Sequence, residues 1–110
     1  MQSMIVSPRT VLIDEPEYIA SYHTTDLGDG KIMVFFHLDI FYFSAQVLKR
    51  MWRDWQIIRQ KMPQVVYTMA DEESEAWRKL VRKFGFRKIG DSPCSDGKDR
   101  SIFAHFLIAS

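Results

Sequence analysis

The stretch EAWRKLVRKFGFRKIG, from Glu75 to Gly90, decides the fold of this 110-residue chain. Its first part predicts an amphipathic helix, because apolar residues recur at the spacing of one helical face. These residues are Ala76, Trp77, Leu80, Val81 and Phe84. Gly85 then stands where helices commonly end on a residue with positive φ, and residues 86–90 predict a strand. The stretch therefore predicts a helix that turns at once into a strand, with Asp71 as its N-terminal cap.

A longer amphipathic helix is predicted upstream, between Ser44, whose hydroxyl can accept from the first helical amides, and Pro63, which stops the helix. Its apolar face contains Ala45, Leu48, Met51, Trp52, Trp55, Ile58 and Met62. The other side holds Lys49, Arg50, Arg53, Arg59 and Lys61. These five residues fall mostly on the side away from the apolar face. Between the two helices, the apolar run from Val65 to Met69 predicts a buried strand.

Antiparallel strands are predicted on both sides of this helical region. Residues 10–15 predict a short strand, and residues 17–24 and 31–41 predict a hairpin across the turn at Asp26 to Gly30. Residues 86–90 and 100–108 predict a closing hairpin. The predicted order is strand, strand, strand, helix, strand, helix, strand, strand. This order indicates the α+β class, with a mostly antiparallel mixed sheet and two main helices.

Length and composition place the protein among globular chains, because 46% of its residues are hydrophobic and 26% are charged. A chain of this length suits one domain, residues 1–110. The longest apolar run, Ile32 to Phe36, falls far short of the roughly 20 residues that span a bilayer. Met1 to Arg9 lack the pattern of a secretory signal, and the single cysteine, Cys94, cannot form an intrachain disulfide. We therefore expect a cytoplasmic protein.

Charge is distributed unevenly along the chain, although the net charge is +1. Residues 49–90 carry eleven basic and five acidic groups, whereas residues 1–48 carry two and six. The basic segment either meets an anion, such as the phosphates of a cofactor or of a nucleic acid, or forms two solvated helix faces. Nucleic acid is the least favoured partner, because the helical spacing of Trp52, Trp55 and Trp77 favours core packing over base stacking. Exposure of the face that carries Trp52 and Trp55 would indicate a protein interface.

The stretch from Glu75 to Gly90, together with the order of the elements, resembles the GNAT superfamily of N-acetyltransferases. In that family, antiparallel strands give way to helix, strand, helix and a final hairpin. Its second acyl-CoA segment ends a helix in a basic residue, a spacer and Gly-Phe, which here reads Lys83-Phe84-Gly85-Phe86. The resemblance extends over residues 10–108. Within the superfamily, the chain is most similar to the small GNAT-like proteins of tailed phages, which also carry a basic, aromatic-containing helix in place of the glycine-rich one.

The resemblance implies an acetyl-CoA site where the long strand turns into the first helix. The cofactor-binding residues that it implies there are Tyr42, Phe43, Ser44 and Ala45. Ser74 replaces an asparagine of the family and is expected to contact the cofactor as well. Active members carry spaced glycines at this turn, but here no glycine lies between Gly30 and Gly85. Because Val81 also replaces the family's proton-donating tyrosine, the predicted cofactor loop is degenerate.

Candidate catalytic residues lie on the long strand and on the strand after the first helix. His37 and Asp39 stand at alternate positions on one strand face, near where a base would deprotonate an acceptor amine. Tyr67 or Tyr42 would donate a proton. The alternative is that His37 and Asp39 are polar residues on a solvent face. No metal site is predicted, because the three histidines fall on separate strands without a partner at metal-ligand spacing.

Two functions stay open at this level. The first is an acetyl-CoA-dependent N-acyltransferase with a degenerate cofactor loop, which takes a CoA thioester and an unidentified amine acceptor. The second is a non-catalytic phage virion component or interaction protein that retains the fold and binds a second copy of itself or a virion protein. The missing glycines and Val81 motivate the second function. So does the short segment before Thr10, which cannot supply the helices that build the family's acceptor pocket.

Overall fold

Two helices pack on a mixed seven-stranded sheet in the computed structural model of the protein, which describes residues 5–69, 74–93 and 97–107. The elements are β1 (Ile5–Val6), β2 (Thr10–Asp14), β3 (Tyr18–Asp26), β4 (Ile32–Ile40), α1 (Ala45–Gln60), β5 (Val65–Thr68), α2 (Glu75–Lys83), β6 (Arg87–Pro93) and β7 (Asp99–Phe106). The predicted α+β class and the predicted order of elements are confirmed. The two-residue strand β1 comes in addition.

The strands lie in the order β1, β3, β4, β5, β7, β6, and β2 pairs with β3 beside β1. Both predicted hairpins are present: β3 pairs with β4 from Tyr18↔Ile40 to Asp26↔Ile32, and β6 pairs with β7. β4 and β5 run parallel, because α1 returns the chain across the sheet. β6 continues past the predicted end at Gly90 to Pro93, and proline is tolerated there because β6 is an edge strand.

Both helices cover the same face of the sheet and share one core with it. Trp55 of α1 is 3% exposed, and its ring lies 5.0 Å from that of Phe36 on β4. Trp77 of α2 packs edge-on against Phe103 of β7, with ring centres 5.4 Å apart. The core role predicted for these two tryptophans is confirmed, whereas that predicted for Trp52 is wrong, because Trp52 is 45% exposed. Among the described residues, no helix lies on the opposite face of the sheet.

The end of α2 follows the prediction, whereas its start differs. Gly85 has a φ of +95°, and its amide donates to the carbonyl of Arg82 while the amide of Phe86 donates to that of Val81. This double hydrogen bond satisfies two terminal carbonyls of the helix. The N-terminal cap is Ser74 and not Asp71, because the Ser74 hydroxyl accepts from the amide of Trp77. Asp71 and Cys94 lie outside the described residues.

Arg59 is an exception to the prediction that the basic residues of α1 fall mostly on its polar side. Arg59 is 3% exposed and continues a buried stripe of α1 at intervals of four residues. The other members of this stripe are Val47, Met51 and Trp55. Its guanidinium donates to the carbonyls of Pro63 and Gln64, at 2.6 Å each, and to the carbonyl of His105 at 3.2 Å. These bonds fasten the end of α1 to β7 and to the loop before β5.

His105 completes this buried contact. The Arg59 Nε–H donates to His105 Nδ1 at 2.7 Å, which requires that nitrogen to be unprotonated. Burial and the charge of Arg59 both lower the pKa of His105. The ring also meets Trp55 edge-on, with centres 5.2 Å apart. His105 is therefore a half-buried residue that accepts a hydrogen bond from the buried Arg59.

In the part of the chain that the structure describes, neither helix has the length and apolar character needed to cross a lipid bilayer.

Candidate functional site

The parallel strands β4 and β5 part near their carboxyl ends. The ladder between them contains the register pair Phe35↔Tyr67, and the Thr68 hydroxyl donates to the carbonyl of Phe36. β5 ends at Thr68, while β4 continues to Ile40. Within the described ranges, the last residues of β4 thus have no ladder partner on the β5 side. Gaps of this kind at the carboxyl ends of parallel strands are common ligand sites.

A cleft of about 360 Å³ lies on the helical face beside this gap, and we call it the strand-end cleft. It is bounded by the end of β4, the residue before the α1 cap and the first turns of α2. The lining residues are Leu38, Ile40, Phe43, Ser74, Ala76, Trp77 and Leu80. Its volume is at the lower end of the range for small-molecule pockets. The cleft therefore suits a narrow, largely apolar chain.

Backbone groups of β4 point into the gap. The amide of Phe41 donates at 2.8 Å to the carbonyl of Glu17, on the β3 side. Backbone groups of successive residues alternate in direction along an extended strand. The amides and carbonyls of Leu38 and Ile40 therefore face the β5 side. They form a row of polar groups along an otherwise apolar cleft.

The structure brings two of the predicted cofactor-binding residues, Phe43 and Ser74, together in the strand-end cleft. Ser44 lies at the N-terminus of α1, where its hydroxyl accepts from the amide of Val47 at 3.1 Å. Ala45 begins α1, and its amide is among the first amides of a helix, which have no intrahelical acceptor. Tyr42 is 63% exposed and is not among the residues that line the cleft. The cleft thus contains part of the predicted group.

The three aromatic residues before α1 are all exposed. Phe41, Tyr42 and Phe43 are 65%, 63% and 57% exposed. Bulky side chains at this turn therefore project largely into solvent.

The predicted catalytic residues lie on the face of the sheet opposite the cleft. His37 and Asp39 alternate with Leu38 along β4, and Asp39 forms an exposed ion pair with Arg9 at 3.6 Å. Tyr67 shares their face, because it pairs directly with Phe35 across the parallel ladder, with ring centres 5.7 Å apart. All three candidates thus lie on one face, next to the gap between β4 and β5.

His23 of β3 joins this group and was not predicted from the sequence. Its Nδ1 lies 2.6 Å from His37 Nε2, and the two rings stack with centres 4.7 Å apart. Burial and the nearby Arg9 charge lower the pKa of His23, which favours its neutral form. The ring also stacks on Phe35, at 5.1 Å. The two histidines form a hydrogen-bonded pair whose only sequence signal is the register of the β3–β4 hairpin.

Val81, at the position of the family's tyrosine, is 6% exposed and belongs to the core of α2. It therefore contributes packing and no proton. In the described ranges, no three side chains of His, Cys, Asp or Glu come together in a group that could hold a metal ion.

Comparison of the chain with family models, with curated proteins and with solved structures gives no match. Inference about function therefore rests on the geometry of the sheet and its clefts.

Proposed function

We propose that the protein is a GNAT-like N-acyltransferase that binds the acyl-pantetheine arm of acetyl-CoA in the strand-end cleft. The observation that carries this proposal is the parting of β4 and β5 beside that cleft, at the carboxyl ends of two parallel strands. The run of antiparallel strands followed by helix, strand, helix and a final hairpin supports the same family. So does the Gly-Phe exit of α2 at Gly85.

Among the described residues, the gap adjoins both faces of β4, which suits a reaction between two substrates. The thioester lies on the helical face, where the amide of Leu38 points toward its carbonyl oxygen. The acceptor amine approaches from the other face, which carries His37. The amine nitrogen attacks the thioester carbon and the C–S bond breaks. His37 takes the proton released by the amine, and Tyr67 donates a proton to the leaving thiolate.

The binding energy of acetyl-CoA comes from its pantetheine arm and not from its phosphates. The cleft walls are mainly apolar, and Leu38 and Ile40 offer backbone partners for the amides of a pantetheine arm. At the start of α1, the Ser44 hydroxyl already occupies the amide of Val47, and the turn lacks the glycines of active family members. We therefore expect acetyl-pantetheine to retain most of the affinity of acetyl-CoA.

Filling the strand-end cleft should remove binding. Ala76 is an exposed residue of α2 that lines the cleft, so Ala76→Trp adds an indole there without disturbing the core. We expect calorimetric titration to give saturable binding of acetyl-CoA to the original protein and at least about a tenfold loss of affinity in the variant. Desulfo-CoA and acetyl-pantetheine, titrated in parallel, locate the groups that bind.

Gln56→Trp is the matched control, because Gln56 is exposed on α1 and does not line the cleft. This variant should bind acetyl-CoA like the original protein. Absence of binding to the original protein up to about 1 mM would refute the proposal. Equal affinity of the two tryptophan variants would refute the strand-end cleft as its site.

Substitution of His37 tests its role in the chemical step. His37→Gln should leave acetyl-CoA binding unchanged and lower the rate of thiol release with an amine acceptor by about 100-fold, the range for a general base. His23→Gln removes the hydrogen-bonded neighbour and should have a smaller effect. Thiol release is measured over a pH series with both proteins shown to be folded. Equal losses in the two variants would indicate a structural pair and contradict catalysis by His37.

A non-catalytic interaction role is the second candidate function. One observation favours it: Trp52, expected on the apolar face of α1, is 45% exposed. Large aromatic side chains seldom face water without a partner. A second copy of the chain or a virion protein would then cover this side of the helices, and acetyl-CoA would not bind.

A further inference from the structure

A second cleft of about 400 Å³ lies between α1 and the end of α2, and we call it the Trp52 groove. Leu48, Lys49 and Trp52 line it from α1, and Lys83 and Phe84 line it from α2. It shares no lining residue with the strand-end cleft. The two clefts are therefore separate sites on the surface of the protein.

The walls of the Trp52 groove are apolar and partly held in place by the core. Phe84 is 5% exposed, and its ring lies 5.5 Å from that of Trp52 at an angle of 60°. Trp55, only three positions further along α1, is 3% exposed, whereas Trp52 is 45% exposed. One edge of the Trp52 ring is thus fixed against Phe84 while much of its surface stays in contact with water. This arrangement forms a pocket that fits one large apolar side chain.

Two lysines flank this pocket. Lys49 and Lys83 are both exposed, and the structure records no ion pair between either lysine and a described carboxylate. α1 has one acidic residue, Asp54, which accepts the hydrogen bond of the buried Tyr18 hydroxyl. The acidic residue of α2, Glu75, lies at the opposite end of that helix from the groove. No acidic side chain of either helix therefore lines the groove to balance the two lysines.

We propose that the Trp52 groove binds an acidic peptide segment of a partner protein, with one large apolar residue as its anchor. The anchor packs between Leu48, Trp52 and Phe84, and flanking Asp or Glu side chains pair with Lys49 and Lys83. Apolar anchors combined with complementary charge are the usual basis of peptide recognition in helical grooves. Nucleic acid fits less well, because two lysines offer few phosphate contacts and the walls present aliphatic and tilted aromatic surfaces.

The probe is a library of random peptides of about twelve residues, displayed and selected on the immobilised full chain. The enriched peptides should contain an aromatic or leucine anchor flanked by Asp or Glu. A representative peptide, synthesised with a fluorescent label, should bind with micromolar affinity in a polarisation assay. Two changes should each weaken that binding by about tenfold or more: Trp52→Gln, and the double substitution Lys49→Glu with Lys83→Glu.

The matched control reverses the same amount of charge elsewhere, at Lys31 and Lys61, which are exposed and do not line the groove. Lys31→Glu with Lys61→Glu should retain most of the affinity. No enrichment, enriched peptides without acidic bias, or equal losses in the two double variants would each overturn the proposal. Tight binding of a labelled oligo-dT that is lost in Trp52→Gln would also overturn it, since the groove would then serve nucleic acid.

Discussion

Replacing Arg59 with leucine is expected to lower the free energy of unfolding by about 3 kcal/mol, at roughly 1 kcal/mol for each hydrogen bond lost. The guanidinium is buried and donates to the carbonyls of Pro63 and Gln64 and to His105. Leucine keeps the helix and much of the apolar packing but donates no hydrogen bond. The Pro63 carbonyl and His105 Nδ1 then lose the donor that Arg59 supplies, whereas the Gln64 carbonyl keeps the amide of Leu107.

Urea denaturation measures this effect, and two further variants define its cause. Arg59→Lys keeps the positive charge but lacks the planar fork, so its loss should be intermediate. Arg53→Leu, on the exposed side of the same helix, should change the free energy of unfolding by less than about 0.5 kcal/mol. Arg59 would be an ordinary surface residue if its leucine variant matched that of Arg53.

Gly85→Ala is expected to destabilise the protein by about 3 kcal/mol through two separate terms. The φ of +95° at Gly85 is costly for any residue with a Cβ atom. A Cβ at this position would also lie 2.9 Å from Cδ2 of His105, closer than van der Waals contact permits. Because His105 is held by Arg59, its ring cannot withdraw without loss of that hydrogen bond.

Alanine variants of two other glycines distinguish the backbone cost from the cost of the contact with His105. Gly30 has a φ of +86°, but a Cβ added there would meet no atom within 4 Å, so Gly30→Ala should show the backbone cost alone. Gly90 has neither positive φ nor close neighbours, so Gly90→Ala should be nearly neutral. The melting temperatures should fall in the order Gly90→Ala, Gly30→Ala, Gly85→Ala, from smallest to largest loss. Equal losses at Gly85 and Gly30 would contradict the contact with His105.

Local sequence patterns predicted both helices, every strand except β1, and the order of these elements along the chain. The helix exit at Gly85 depends on backbone geometry within a few residues, and the 17–24 and 31–41 hairpin depends on alternation around a glycine turn. Such signals lie within a short window of sequence. Two predicted element boundaries differ from the structure. Ser74 and not Asp71 caps α2, and β6 extends to Pro93.

For Arg59, the position in the helix and the residue type give opposite predictions of burial. Its position is in phase with Met51 and Trp55, so helical periodicity alone assigns it to the buried stripe. The arginine side chain suggests the opposite, because an unpaired buried charge is costly. Burial is tolerated because the carbonyls of Pro63, Gln64 and His105 converge on it, and these come from two segments, the loop before β5 and β7.

The sequence by itself determined the α+β class, the order of the elements and the turn at Gly85, since these follow from short-range periodicity and backbone geometry. The tertiary structure alone decided where the candidate sites lie. The register of β4 against β5 opens the strand-end cleft, and the register of β3 against β4 brings His23 to His37. The packing of α1 beside α2 leaves Trp52 exposed. Each of these depends on contacts between residues far apart in the chain, which no local pattern encodes.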